Sequence, residues 1–217
     1  HDANISIITI DSEEGLEIMR HTLAAQVLAR AVKNLYPKSK LAIGPTIKDG
    51  FYYDVECKET ISIDDLKKIE KEMDKIVKTK SSITKKLLSK KDALKVFKDK
   101  DESYKEEIIN DSDQEDEFQL YYQDDEDFVD LCKGPHLPNL NFIGAYKLTT
   151  ISGAYWKGDS SNTMLTRIYG TAWSNEKDLN EHLNNIEEAQ KRDHRKLGKE
   201  MDLFHFQDEA PGMVFWH

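Results

Sequence analysis

Five residues are of types that could do chemistry together. His21 stands in RHTLAAQ, Lys105 in ESYKEE, and Asp130, Cys132 and His136 crowd into DLCKGPH. A Cys-x3-His pair plus a helical His brings three borderline ligands to one place, and zinc is the metal such donors suit. A closed zinc site needs a fourth ligand. The residue one helical turn after His21 is Ala25, which offers none, so only an open three-ligand site fits. The same groups could instead line a metal-free polar pocket, or be a core histidine and a buried cysteine. Cys132 as a nucleophile would need a neighbour that stabilises its thiolate, and a Gly-Pro turn separates it from His136. Asp130 and Cys132 share a face if they lie on a strand. Lys105 is a solvated lysine or, in a pocket, a group that binds phosphate or fixes a water. The phosphate loops G-x-x-x-x-G-K and G-x-G-x-x-G are absent, as is the serine elbow G-x-S-x-G, so ATP chemistry has no support within these residues.

These residues must be carried by regular elements. Ser12 with Glu13 and Glu14 predicts a helix start, with an N-cap and acids in the first turn. Leu16, Met19, Leu23, Val27, Leu28, Ala31 and Leu35 keep helical spacing up to Pro37. His21 belongs to this helix. Residues 40–43 and 51–57, separated by Gly-Pro and Asp-Gly, predict a hairpin. A second helix runs from Ser62 to about Lys78. A strand is expected at 82–84, short helices at 90–97 and 106–110, and strands at 118–122 and 127–132. Further strands are expected at 146–150, 153–157 and 164–169, and a long polar helix at 175–198. Residues 4–10 alternate as a strand does. The order of elements is α+β, with helices packed on a largely antiparallel sheet.

Composition narrows the function classes. The 217 residues suit one large domain or one domain with attachments. No run approaches the ~18–20 apolar residues of a membrane span, and HDANISIITI lacks the basic flank and apolar core of a signal peptide. Two cysteines exclude a disulfide scaffold and a four-cysteine zinc site, and a reduced, cytoplasmic setting is expected. The net charge of −10 excludes a generally basic nucleic-acid coat. It is concentrated: residues 98–127 hold 14 acidic and 3 basic residues, so the rest of the chain sums to +1. Residues 66–98 run the other way, with 12 Lys against 4 acids. That stretch is a solvated helix face or a face for RNA phosphates. Residues 111–127 contain no Gly and read as a surface excursion rather than a calcium loop.

Taken together, AIGPTIKDGFYYDV (42–55), ESYK (102–105), DLCKGPH (130–136), GAYWKGD (153–159) and RIYGTAW (167–173) resemble the threonyl-tRNA synthetase family. The final RDHRKLGKEMDLFHFQDEAPGMVFW (192–216) resembles the start of that family's class II catalytic domain. The resemblance implies the end of a small N-terminal domain at 1–10 and an editing domain at 11–174, of the fold shared with alanyl-tRNA synthetase editing domains. It implies a linker helix at 175–200 and the start of a catalytic domain at 201–217. The implied reaction is hydrolysis of Ser-tRNA(Thr), since one methyl separates serine from threonine by only ~1–3 kcal/mol and a second site is needed. The implied catalytic residues are His21, Lys105, Asp130, Cys132 and His136. Lys105 and His21 would position water and the ribose hydroxyls, Asp130 would hold the serine ammonium, and Cys132 and His136 would shape the pocket. Gly44 and Tyr53 would line it. The implied partners are the tRNA(Thr) acceptor end and a seryl-adenosine ester. ATP, Mg and Zn are expected only for the absent catalytic domain, through which the parent enzyme would dimerise; the present region could then be monomeric.

The family shows His-x3-His on the first helix, and here the second His is missing. The stretch from His21 to Lys33 is also one residue longer than the family spacing. A π-bulge can absorb such a residue, and would turn Gln26 rather than Ala25 toward His21. Gln26 thus joins the expected substrate-binding residues. Weakened proofreading, or a tRNA-binding appendage with a decayed site, is the alternative to an active hydrolase. A free-standing metal hydrolase of the alanyl type is a third reading, disfavoured by the tail at 192–217.

Overall fold

A computed structural model describes residues 7–124, 128–193, 197–198, 200–205, 207 and 213–216. It divides into two compact units, residues 1–176 and 177–217.

The first unit opens with helix α1 (Glu13–Thr22), whose N-cap Ser12 accepts the Gly15 N–H at 3.1 Å. The helix widens into a π segment over Leu23–Leu28 and continues as α2 (Ala29–Leu35). Strands β1 (Lys40–Leu41) and β2 (Thr46–Ile47) both pair with β3 (Gly50–Glu56). A capping box between Ser62 and Asp65 starts a short 3₁₀ turn that leads into α3 (Leu66–Lys78). Then come β4 (Ile83–Leu88), α4 (Lys90–Asp99), α5 (Ser103–Asn110), β5 (Phe118–Gln123) and β6 (Phe128–Leu131). The unit closes with β7 (Ala145–Tyr155) and β8 (Met164–Trp173).

All strand pairings are antiparallel. One sheet has the order β1-β3-β8-β7, with β2 also on β3; the other has the order β4-β5-β6. Phe51, Tyr53 and Val55 alternate along β3 and enter one core with Met19, Leu23, Leu28 and Val32 of the first helix and Ile69 and Met73 of α3. A second core joins Phe97 of α4 and Ile109 of α5 to Phe118, Leu120 and Val129 of the smaller sheet. Helices on antiparallel sheets make the class α+β, as the order of elements predicts.

The structure departs from the sequence reading at several elements: the helix expected at 106–110 begins at Ser103, and the strand expected at 164–169 runs to Trp173. Residues 7–9 form no strand, and 4–6 lie outside the described residues. The strands expected at 146–150 and 153–157 are one strand, because β8 pairs with it past Gly153 as far as Tyr155; the irregularity falls between Leu148 and Thr150. The strand at 82–84 extends to Leu88 because β5 offers a partner along its whole length. The long helix stops at Lys191.

Helix α6 (Glu176–Lys191) begins at the end of the first unit and runs into the second, which also holds a pairing of β9 (Phe204–His205) with β10 (Phe215–Trp216). No helix among the described residues is long and apolar enough to cross a membrane.

Candidate active site

The smaller sheet brings Asp130 and Cys132 to one face. Asp130 lies opposite Tyr121 on β5, and the Cys132 N–H continues the ladder to the Gln119 carbonyl at 3.1 Å. The chain then turns at Gly134, whose φ is +64°; a Cβ there would sit 1.9 Å from the Tyr121 hydroxyl, so only glycine fits. The turn brings His136 back beneath α1. Its ring lies 4.5 Å from that of His21 and 4.5 Å, edge to face, from that of Tyr121.

Helix α5 delivers Lys105. Glu102, just before α5, is buried; it accepts Lys33 Nζ of α2 at 2.5 Å and the Leu41 N–H of β1 at 2.7 Å. The start of α5 is thereby tied to both elements. Lys105 Nζ then meets Asp130 Oδ1 at 2.6 Å, with both side chains almost wholly buried. Tyr53 donates to Asp130 Oδ2 at 2.8 Å, and the Leu131 N–H reaches Oδ1 at 2.8 Å. Tyr53 therefore spans from the larger sheet to the smaller one. Burial first, and the Asp130 carboxylate second, hold its hydroxyl well above the usual tyrosine range, so it stays a donor.

These groups open on a cavity of about 590 Å³, within the size range of small-molecule sites. His21, Lys105, Asp130 and Cys132 form one end. Ile43, Gly44, Pro45 and Ile108 are apolar members of the lining, which also includes Ser112, Gln114 and Glu117. The acidic stretch expected to be a surface excursion thus supplies part of the cavity lining, because the chain after α5 must return past the site to enter β5.

Two expected lining residues sit elsewhere. Tyr53 is fully buried behind Gly44 and holds Asp130 instead of facing the cavity. Gln26 is fully buried too: its carbonyl and Oε1 accept from Gln123 Nε2 at 2.5 and 3.0 Å. The π segment expected after His21 is present, yet Ala25 shares the cavity wall with His21. The widened stretch, Leu23–Leu28, contains both residues; within it Ala25 borders the cavity while Gln26 meets Gln123. His136 stands behind His21 and is not part of the lining.

Cys132 Sγ lies 2.9 Å from His21 Nε2 and receives the Gly134 N–H at 3.4 Å. Burial pushes the thiol up to about 11, so it is protonated at neutral pH. A nucleophilic thiolate has no support in this setting. One ring nitrogen of each histidine and Cys132 Sγ lie within 4.8 Å of one another. A single cation could bridge them, with the fourth corner left to solvent because Ala25 carries no ligand atom.

Burial, and then the neighbouring His21, push His136 down to about 3, against ~6.5 for an exposed histidine. Between those two values the unfolded chain takes up a proton that the folded one refuses. Stability therefore falls as pH drops through that window, by up to ~1.4 kcal/mol per pH unit from this residue. Urea melts at pH 7 and 5 should show this loss, and His136→Gln should reduce it. Equal pH dependence in the two proteins would refute the assignment.

Residues 119–169 match the family described as "Threonyl and Alanyl tRNA synthetase second additional domain". Over the whole chain, similar proteins include threonine–tRNA ligases of Prochlorococcus marinus (51% identical), Francisella philomiragia (52%) and Legionella pneumophila (52%). All of this chain is covered in each case, and it spans about a third of their length: 34%, 34% and 33%. The chain is therefore homologous throughout to about a third of a threonine–tRNA ligase, and it carries the second additional domain that threonyl- and alanyl-tRNA synthetases share.

Proposed function

We propose that this region proofreads: it hydrolyses the ester of Ser-tRNA(Thr), with the acceptor end of tRNA(Thr) as its macromolecular partner. The observation that carries the reading is the buried Lys105–Asp130–Tyr53 group beside the His21–Cys132 pair, at one end of a cavity sized for an aminoacyl-adenosine. In the reaction a water oxygen bonds to the ester carbonyl carbon, the bond from that carbon to the ribose oxygen breaks, and a water proton ends on the ribose hydroxyl. Lys105 is held by Asp130 and is cationic beside the site; it stabilises the charge that builds on the carbonyl oxygen. His21 orients the water or the ribose hydroxyl. Asp130 already accepts three hydrogen bonds, so its main part is to fix Lys105, with its remaining capacity turned to the substrate ammonium. The chemistry asks for a positioned water and an oxyanion donor, and these residues supply both without a metal. Editing domain 11–174, linker helix 175–200 and the start of a synthetic domain at 201–217 are the matching domain proposal, and ATP-dependent ligation belongs to the whole enzyme.

The test is deacylation of Ser-tRNA(Thr) and Thr-tRNA(Thr) by this chain, before and after dialysis against a chelator. Faster loss of serine, unchanged by the chelator, is expected. No turnover of either would sink the reading, and loss on chelation would overturn the metal-free mechanism. Ala25 beside His21 favours a second reading, a binding appendage with a weakened site. Binding of a non-hydrolysable seryl-adenosine analogue without turnover of the ester would identify it.

A further inference from the structure

The hydrogen bonds around Thr22 constrain where the protons of the site reside. Its hydroxyl has one hydrogen and two lone pairs. The Ile18 carbonyl, at 2.8 Å, can only accept and is nearer than His136 Nδ1, so we place the hydroxyl hydrogen there. The Leu137 N–H at 3.0 Å can only donate, and occupies one lone pair. His136 Nδ1 lies 3.2 Å away and meets the lone pair that remains. With that placement Nδ1 carries a hydrogen, which leaves Nε2 of the neutral ring bare. That Nε2 is buried without a hydrogen-bond partner.

His21 is arranged in the same way. Burial lowers the pKa of its ring, the Pro135 backbone acts on the ring as an acceptor and opposes this, and Nε2 lies 2.9 Å from the Cys132 sulfur. Nδ1 therefore carries the hydrogen, and Nε2 accepts. The cluster of His21, Cys132 and His136 then contains a single hydrogen free to change partners, that of the thiol.

We propose that Thr22 is a positioning residue of the hydrolytic site: by accepting from Nδ1 it holds His136 in one tautomer, so that the bare Nε2 of His136, behind His21, is an acceptor to which the Cys132 thiol can turn, which frees Nε2 of His21 for a water or hydroxyl. The catalytic consequence rests on the hydrolase reading; the tautomer does not. With the other tautomer, a buried N–H on Nε2 would have no acceptor there, or would compete for the Cys132 sulfur. Burial of both rings acts in the same direction, favouring the neutral form.

The decisive measurement is the ¹⁵N chemical shift pair of the His136 ring at neutral pH, in the chain as it is and in Thr22→Val and Thr22→Ser. The parent and Thr22→Ser should show a protonated Nδ1 and a bare Nε2. Thr22→Val should show a mixture or the opposite tautomer, with Ser-tRNA(Thr) deacylation reduced ~100-fold and restored in Thr22→Ser. A protonated Nε2 in the parent overturns the proposal, and so does an unchanged tautomer in Thr22→Val, whatever happens to turnover. If the parent shows no turnover the hydrolase reading fails, yet the shifts still decide the tautomer. Should Thr22→Val not fold, the parent spectrum and Thr22→Ala decide in its place.

Discussion

Replacing Lys105 by methionine is expected to reduce Ser-tRNA(Thr) deacylation by ~10²–10³, the loss that follows removal of one oxyanion donor. It should also destabilise the fold by about 3–5 kcal/mol, because Asp130 is left charged and almost wholly buried without its cation. The two losses are separable. In the double variant Lys105→Met, Asp130→Leu the orphaned charge is gone, and most of the stability should return while activity stays lost. Paired denaturation curves and single-turnover deacylation measure both. If the double variant is no more stable than Lys105→Met, the ion pair is not the source of the penalty. If Lys105→Met keeps full activity, Lys105 is structural.

The second large effect is expected at Gly44. A Cβ at this position would lie 2.1 Å from Cδ2 of Tyr53 and 2.6 Å from Cε2. Tyr53 is fully buried and cannot yield toward solvent. Gly44→Ala must therefore push the ring, at a cost of about 1–3 kcal/mol. The push travels, because the other end of that ring holds Asp130, and Asp130 holds Lys105. A shift of ~1 Å in a reacting group can cost ~10² in rate, so activity should drop further than stability suggests. Gly44→Ala combined with Tyr53→Leu relieves the clash but removes the Asp130 donor, so stability should partly recover and activity should not. A fully active Gly44→Ala would show that Tyr53 is not rigidly coupled to the site.

Much of this site was legible in the sequence for a simple reason. Cys132, His136 and Asp130 are near neighbours in the chain, and strand periodicity alone places Asp130 and Cys132 on one face. What local spacing could not give was what stands behind them. Tyr53 reads as a lining residue if only its chemistry is considered. The alternation of Phe51, Tyr53 and Val55 was the available sign that it belongs to the core. Gln26 was misplaced because the presence of a widened turn does not say which of its residues faces His21, and a shift of one residue in a helix moves a side chain through ~100°. Ser112, Gln114 and Glu117 were lost in a run of acids, since composition reports the charge of a loop and not which of its side chains border a cavity. Thr22 had no local signal at all. Its significance comes from the Leu137 N–H and His136, more than a hundred residues away.

The widened turn at Leu23–Leu28 has a mechanical consequence. The helix through it grips the molecule twice, with His21 before the turn and with Lys33, through Glu102 and α5, after it. A wide turn between two gripped ends behaves like a spacer in a linkage: it takes up a change of phase locally and leaves both ends seated. The helix wall can thus vary at the position facing His21, as Ala25 does here, while the arm that carries Lys105 keeps its place opposite Asp130.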